Sequence, residues 1–525
     1  MSWRKWLGKK VASAPGTDVL RERLKEPTRW PGDRLPALLL ACGSDDPELA
    51  AAAAAEIRAT LPTLRPEWLI RIDAWMRHEL WGAYDLPRWV SADVPPAVDH
   101  LRSRVGDDVA VLCLLSMAPS GFVREAAIAR IAALGGDGGE LPFLLLRSYD
   151  WVFQVRRAAE RAALARLTPE KLPRLVECLG LFVRTEARER GGDVGRRARE
   201  LLRDPAARPL LRLAMQSGDA PARLFSFQQL AAVEGERPAL VRQALASSDP
   251  VLRRAAARMA EDLPGAEHAT LAPVLLADRS AHLRTQGVLL AGTLGGEVRP
   301  LLRAAAADAN ATVRLFARQA LRERGETIDA AWYRAELAAR PDSPGALAGL
   351  AEMGTREDAE LFERYLAAPR VRLRAIAVQG LARVRKADAV PALVRALAGP
   401  SPRVSRAAAN ELRTLPVSAA ELVPLFGSGV GQVRRNALSL LTRRGKWEAL
   451  IWILRARVDA DPKIAAVGGG MLQRWILRFN RSHADPTTEQ AREVKEALAA
   501  SAGRVPEEDR KRLMGLLPRS MRITE

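Results

Sequence analysis

The residues best placed to do chemistry in this sequence are arginines, and they return at a fixed interval. The phrase is a β-branched residue or leucine, an arginine, then small residues. It reads Val123-Arg124-Glu125-Ala126-Ala127, Val155-Arg156-Arg157-Ala158-Ala159, Leu252-Arg253-Arg254-Ala255-Ala256 and Val433-Arg434-Arg435-Asn436-Ala437, with shorter forms at Leu283-Arg284, Val313-Arg314 and Leu373-Arg374. Arg253 to Arg284 is 31 residues, Arg284 to Arg314 is 30, and Arg314 to Arg374 is a double step of 60. A guanidinium is permanently charged and presents its N–H donors as a planar fork, so a row of them suits carboxylate or phosphate. Arg157, Arg254, Arg318 and Arg435 recur near the start of successive second helices, which predicts such a row along one side of the array. A solvated face that keeps an alanine-rich chain soluble accounts for the same residues.

Other chemistry is thinly supplied. The five histidines, His78, His100, His268, His282 and His483, have no partners at metal-ligand spacing. His78-Glu79 lacks the second histidine of a zinc-protease helix. No G-x-S-x-G elbow and no phosphate-binding G-x-x-x-x-G-K-[ST] loop occurs, and Gly468-Gly469-Gly470 has no following Lys-Ser/Thr, which points to close helix packing. No catalytic residue, metal site or cofactor is predicted. Cys42, Cys113 and Cys178 are scattered in apolar stretches, an odd set with no C-x-x-C spacing, and read as reduced buried thiols of a cytoplasmic protein.

The elements that carry these arginines are helical. The separators between phrases are turn formers, Ser247-Ser248-Asp249-Pro250, Asp278-Arg279-Ser280, Asp308-Ala309-Asn310 and Gly399-Pro400-Ser401-Pro402. No strand-like alternation persists, and a period near 30 residues means a stacked repeat array. The 525 residues divide into a basic irregular segment over 1–32, a helical, Trp-rich segment over 33–105, repeats over 106–208 with an irregular Arg/Gly-rich insert near 184–205, a regular array over 209–480 and a charged helical cap over 481–525. Eight of the twelve tryptophans precede residue 152, so the N-terminal third differs in kind. There Trp81, Tyr84 and Trp89 form a candidate aromatic surface, whereas Trp68 and Trp75 share the apolar face of their helix and Asp73 lies off it. No apolar run is long enough to cross a membrane. Net charge is +19, favouring anionic partners, and is spread along the array rather than gathered in one block.

A turn aspartate, a Val-Arg a few residues later, an Ala-Ala helix and a step near 30 residues resemble HEAT repeats, most closely the short form found in phycobilisome-lyase-type and many bacterial proteins. The resemblance implies an all-α fold, a right-handed α-solenoid of helical hairpins. It also implies a structural ladder between aspartate and arginine, which carried over pairs Asp150 with Arg156, Asp249 with Arg253, Asp278 with Arg284 and Asp308 with Arg314, and Asp219 with Arg223 in a copy lacking the valine. Val404-Ser405 departs from it, with Ser405 in place of the arginine, and so does Gly345–Leu350, where no Val-Arg occurs.

Solenoids of this kind are mostly scaffolds, and fold does not fix function. The reading that follows is a non-catalytic interaction scaffold that binds a protein partner on its surface. The alternative is a solenoid that binds nucleic acid through sequence-independent phosphate contacts. A third reading, a DNA glycosylase of this fold, would place Trp68, Trp75, Asp73 and Trp151 around a damaged nucleotide; core packing explains the first two better.

Overall fold

The computed structural model describes residues 17–25, 30–82, 96–187, 192–481 and 483–518. Among them the fold is all-α, with no strand and a single isolated β-bridge between Ala502 and Val505. The chain divides into two compact units, Met1–Glu267 and His268–Glu525. In each, a short first helix turns into a second, and successive second helices pack side by side. The pairs Val109–Leu115 with Gly121–Leu134 and Leu141–Arg147 with Phe153–Leu164 show this in the first unit. The pairs Arg299–Ala306 with Ala311–Arg322 and Val390–Ala398 with Pro402–Leu412 show it in the second.

Short polar residues start many of the helices. Asp46, Asp108, Asp219, Asp249, Asn310 and Asp461 each accept a hydrogen bond from a backbone N–H of the first turn. Those N–H groups have no partner inside the helix, so the cap is worth about 1 kcal/mol. Proline at the first position of Pro47–Thr60, Pro250–Ala260, Pro402–Leu412 and Pro462–Leu477 loses no hydrogen bond there. The core then forms from small side chains: Ala256, Ala257 and Ala260 are buried on one helix, Val313, Ala317 and Leu321 on another. Alanine between helices lets the backbones come close, and the longer leucines fill the space beneath.

The irregular repeat around residue 345 shows how close that approach becomes. The helix Pro344–Met353 carries Gly345, where an added Cβ would meet the Ala307 carbonyl oxygen at 1.7 Å, and Gly349, where it would meet the Tyr333 ring at 2.1 Å. Glycine here replaces the missing Val-Arg with direct contact. Farther on, Gly468 packs against Ala456 and Arg457, as its run of glycines suggests, while Gly470 faces open space. Lys386, after the long helix Val371–Arg385, adopts φ +52°, the one non-glycine residue with positive φ among those described. That conformation costs about 1–3 kcal/mol. At the C-terminal end Thr488–Ala500 and Glu507–Leu516 bury Val494, Leu498 and Leu513 against Trp447, Leu450 and Leu454.

Gly345→Ala should therefore lower the denaturation midpoint sharply, by about 2 kcal/mol or more. Gly470→Ala, in open space on a helix, should raise stability by about 0.5–1 kcal/mol. Equal effects of the two in chemical denaturation would contradict the close approach at Gly345.

Candidate functional site

Several phrase arginines bond in two directions. One terminal nitrogen donates back to the carbonyls of its own turn, six and five residues earlier. Arg124 reaches Ala118 O at 3.0 Å and Pro119 O at 2.7 Å, Arg284 reaches Asp278 O at 2.9 Å, and Arg434 reaches Ser428 O at 2.7 Å. The rest of the fork reaches the aspartate of the following repeat. Arg124 grips Asp150 at 3.1 and 3.0 Å, Arg223 grips Asp249 at 3.0 and 2.6 Å, Arg284 grips Asp308 at 2.7 and 2.9 Å, and Arg434 grips Asp459 at 3.0 Å twice. The aspartate in turn braces its own turn, accepting from Val152 N, Val251 N or Asn310 N.

This moves the arginine partner of Asp150, Asp219, Asp249 and Asp308 back by one repeat. Asp150 accepts from Arg124 rather than Arg156, which reaches only the Asp150 backbone oxygen at 2.8 Å. Asp249 accepts from Arg223, and Arg253 donates to Ser247 O and Ser248 O. Asp308 accepts from Arg284 in place of Arg314, and Asp219 from Arg184 in place of Arg223. The reason is steric: six residues on, an arginine has already turned its fork to the carbonyls of its own turn, leaving the outer edge to the neighbour.

The ladder changes at two places. Arg314 finds no aspartate ahead of it and pairs with Glu352 on the glycine-bearing helix, beside Arg318, which donates to Glu352 at 2.8 Å and to Tyr333 Oη at 3.0 Å. Ser405 is buried and accepts from Asn436 Nδ2 at 2.8 Å, a neutral rung one repeat later. Arg406 does not substitute for the missing arginine. It is exposed and pairs with nothing among the described residues.

The predicted row of four arginines is thereby broken. Arg318 is mostly buried and engaged, because it follows Arg314 by a helical turn and shares its inner face. Arg157 is exposed and pairs with Glu160 at 3.2 Å, Arg254 is exposed and without an ion pair among the described residues, and Arg435 is half-buried with its Nε unpartnered. Of the aromatic surface, Tyr84 and Trp89 lie outside the described residues, as does the Trp81 side chain.

Asp73, expected off the apolar face, is buried. It accepts from Arg147 at 2.6 Å and from Arg77 at 3.2 Å, and these two arginines also hold Asp150 at 2.9 and 3.3 Å. Two carboxylates and three guanidiniums thus lock the helix Leu69–Gly82 onto the first ladder rung. Burial alone would push the Asp150 carboxyl up. The charges of Arg147 and Arg124, with the hydrogen bonds from Arg124 and Val152 N, outweigh it and hold the carboxyl below its usual range. Trp68 packs on Trp30 with ring centroids 6.2 Å apart. Trp151 points to solvent, 65% exposed, with Phe153 and Phe122 each 59% exposed. The latter two open adjacent packed helices, and Gly121 sits against Val152, so the three rings share one edge. Sequence reasoning missed this trio; the signal was three aromatics beside the phrase at positions where other copies carry polar or small residues.

A second surface lies in the other unit. A groove of 590 Å³ crosses the second helices Ala311–Arg322, Pro344–Met353, Val371–Arg385 and Pro402–Leu412. Alanines 348, 351 and 382 form its floor, Arg383 and Lys386 one wall, and Glu411 the other. Glu411 is half-buried with no cation beside it, and burial pushes its carboxyl up. Elsewhere, Cys42, Cys113 and Cys178 are buried, and burial pushes the Cys42 and Cys178 thiols up to about 12, far from a reactive thiolate. His268 is buried against Thr293 Oγ1 at 2.9 Å, and His100 contacts the Gly43 carbonyl at 2.8 Å. Among the described residues no group of His, Cys, Asp or Glu is placed to hold a metal, and no helix is long and apolar enough to cross a membrane.

Comparison with known families agrees with this geometry where the repeat is most regular. Residues 359–441, which span the neutral rung and the groove's basic wall, match the family described as HEAT repeats. The segment is built of HEAT repeats. Solved structures with similar folds include importin beta, 12% identical over 95% of this chain and 68% of that one, with a TM-score of 0.29. The karyopherin Kap121p bound to Pho4p is 14% identical over 95% and 55%, TM-score 0.27, and Kap121p bound to the SUMO protease Ulp1p is 15% identical over 94% and 52%, TM-score 0.27. The chain thus spans only about half to two thirds of those HEAT proteins. No curated protein matches it.

Replacing Asp150 with asparagine leaves Arg124 buried without its counter-charge and Arg147 with Asp73 alone, a loss of about 3–5 kcal/mol. Because the folded carboxyl titrates below its unfolded value near 3.9, its contribution is full above that pH and fades as pH falls through the folded value. The denaturation midpoints of Asp150→Asn and wild type should diverge at neutral pH and converge in acid. A gap that stays constant with pH would contradict the charged rung.

Proposed function

We propose that this protein is a non-catalytic scaffold that holds a protein partner on the surface of its helical stack. The observation that carries this reading is the exposed aromatic edge of Phe122, Trp151 and Phe153. Only 5% of the chain is aromatic, and a large side chain left in water forfeits about 1.5–3 kcal/mol of burial, so three on one edge are a surface waiting to be covered. Tryptophan is enriched among the few residues that dominate protein interfaces. The charges beside it are mixed: Arg157 is tied to Glu160, and Arg156 lies over the Phe153 ring at 5.4 Å. A nucleic-acid interface would set such rings among free cations. The ladder serves this role by fixing the spacing of adjacent helices, which keeps the three rings in register.

A photo-crosslinking residue at position 151, in the native host, should join the chain to one recurrent protein. Phe122→Ala with Phe153→Ala should reduce that adduct by about tenfold or more without lowering the melting temperature, since both side chains face solvent. Crosslinks that scatter over unrelated proteins, or that survive the double variant, would sink the reading.

A further inference from the structure

The ladder normally uses up its charges internally, and it lapses between residues 371 and 431. Arg374 donates to Ala368 O and Pro369 O, but the next turn, Gly399-Pro400-Ser401-Pro402, offers it no aspartate. The following rung is the neutral Ser405–Asn436 bond. In this same interval the outer faces of two adjacent second helices carry cations with no ion pair among the described residues. Arg383 and Lys386 lie on one face of Val371–Arg385 and just beyond it, and Arg403, Arg406 and Arg413 follow at helical spacing along Pro402–Leu412 and just beyond it. All five are exposed. The alanine-floored groove runs between these helices, with Glu411 half-buried in its wall.

We propose that this groove binds an extended acidic segment of a partner protein, its carboxylates on Arg383 and Lys386, which line it, and one cationic or amide side chain on Glu411. The inference rests on the protein-binding reading above and names the chemistry of a second contact. Three observations choose a peptide. The floor is alanine, and a volume of 590 Å³ is of the size that takes a few side chains. No exposed aromatic lines it, so unpaired bases find nothing to stack on. Its wall contains a carboxylate with no cation beside it, which repels a phosphate backbone and attracts a donor in a peptide of mixed charge. Neighbouring helices lie about 8–10 Å apart and an extended chain advances about 3.3 Å per residue, so acidic residues about three apart would meet successive helices. Arg383 matches a carboxylate with a bidentate fork, and Lys386 adds a second positive charge beside it.

Fluorescence anisotropy on the full chain tests this with three labelled probes: a peptide with acidic residues three apart, the same peptide with one central lysine, and a DNA duplex. Both peptides should bind more tightly than the duplex, the lysine-bearing one most tightly. Arg383→Glu with Lys386→Glu, both on exposed positions lining the groove, should weaken both peptides by about tenfold or more with an unchanged circular dichroism spectrum and melting temperature. Glu411→Gln should remove the advantage of the central lysine and leave the other peptide unaffected. Tighter binding of the duplex, peptide affinity indifferent to the double reversal, or a lysine advantage that survives Glu411→Gln would each overturn the proposal. Trp151→Ala should leave peptide binding intact. If crosslinking at residue 151 fails while the peptides bind as described, the aromatic edge alone is misassigned; if the peptides fail while the crosslink holds, the groove alone is.

Discussion

Everything in this molecule depends on a guanidinium that bonds to two turns at once. Arg284 donates to the carbonyls of its own turn and, through the other edge of the same planar group, to Asp308 in the next. The carboxylate repeats the economy, taking the arginine and also the backbone N–H of Asn310. Turns are where backbone groups have no helical partner, so they need outside donors and acceptors. Here each turn is completed by its neighbour, and the unit of stability is the junction rather than the repeat. The weakly aromatic, alanine-rich core can then remain thin, because alignment is set at the turns.

The sequence was most legible where a single local rule operates. The step near 30 residues, the turn aspartates and the prolines at helix starts suffice to read the helical pairs, and the structure of HEAT repeats over 359–441 follows from them. Partner choice in the ladder was not legible, because Arg156 and Asp150 are near in sequence while Arg124 and Asp150 are near in space. Only the competing carbonyls of the turn decide between them. Arg318 misled for a similar reason: it resembles the second arginine of the phrase but sits one helical turn farther along, on the inner face. Asp73 reads as a surface residue until Arg147, far away in the chain, arrives to neutralise it. The glycine at 345 reads as a lapse in the pattern, whereas it marks the tightest contact between neighbouring pairs.

The two candidate surfaces arise from departures of opposite kind. At Phe122, Trp151 and Phe153 the ladder is intact and unusually reinforced, by Arg77 and Arg147, and apolar side chains face outward from a rigid base. At the groove the ladder has lost its charges, and cations without ion pairs among the described residues face solvent. One surface offers area and little charge, the other charge and little area. They suit different parts of a partner, a folded face and an extended tail, and their responses to salt differ accordingly.

The offset of the ladder by one repeat also governs how such a chain can change length. In four rungs an arginine recognises an aspartate 24 to 26 residues downstream, and each of those aspartates sits in the turn of the following repeat. Gain or loss of one whole repeat leaves every arginine facing an equivalent aspartate, whereas a partial gain leaves a buried charge unmatched. The neutral Ser405–Asn436 junction departs further than the Arg314–Glu352 pair, since it holds no charge: the charged rungs on either side are not interchangeable with it. Duplication can therefore lengthen the charged stretches freely, while that junction stays a unique address within an otherwise repetitive chain.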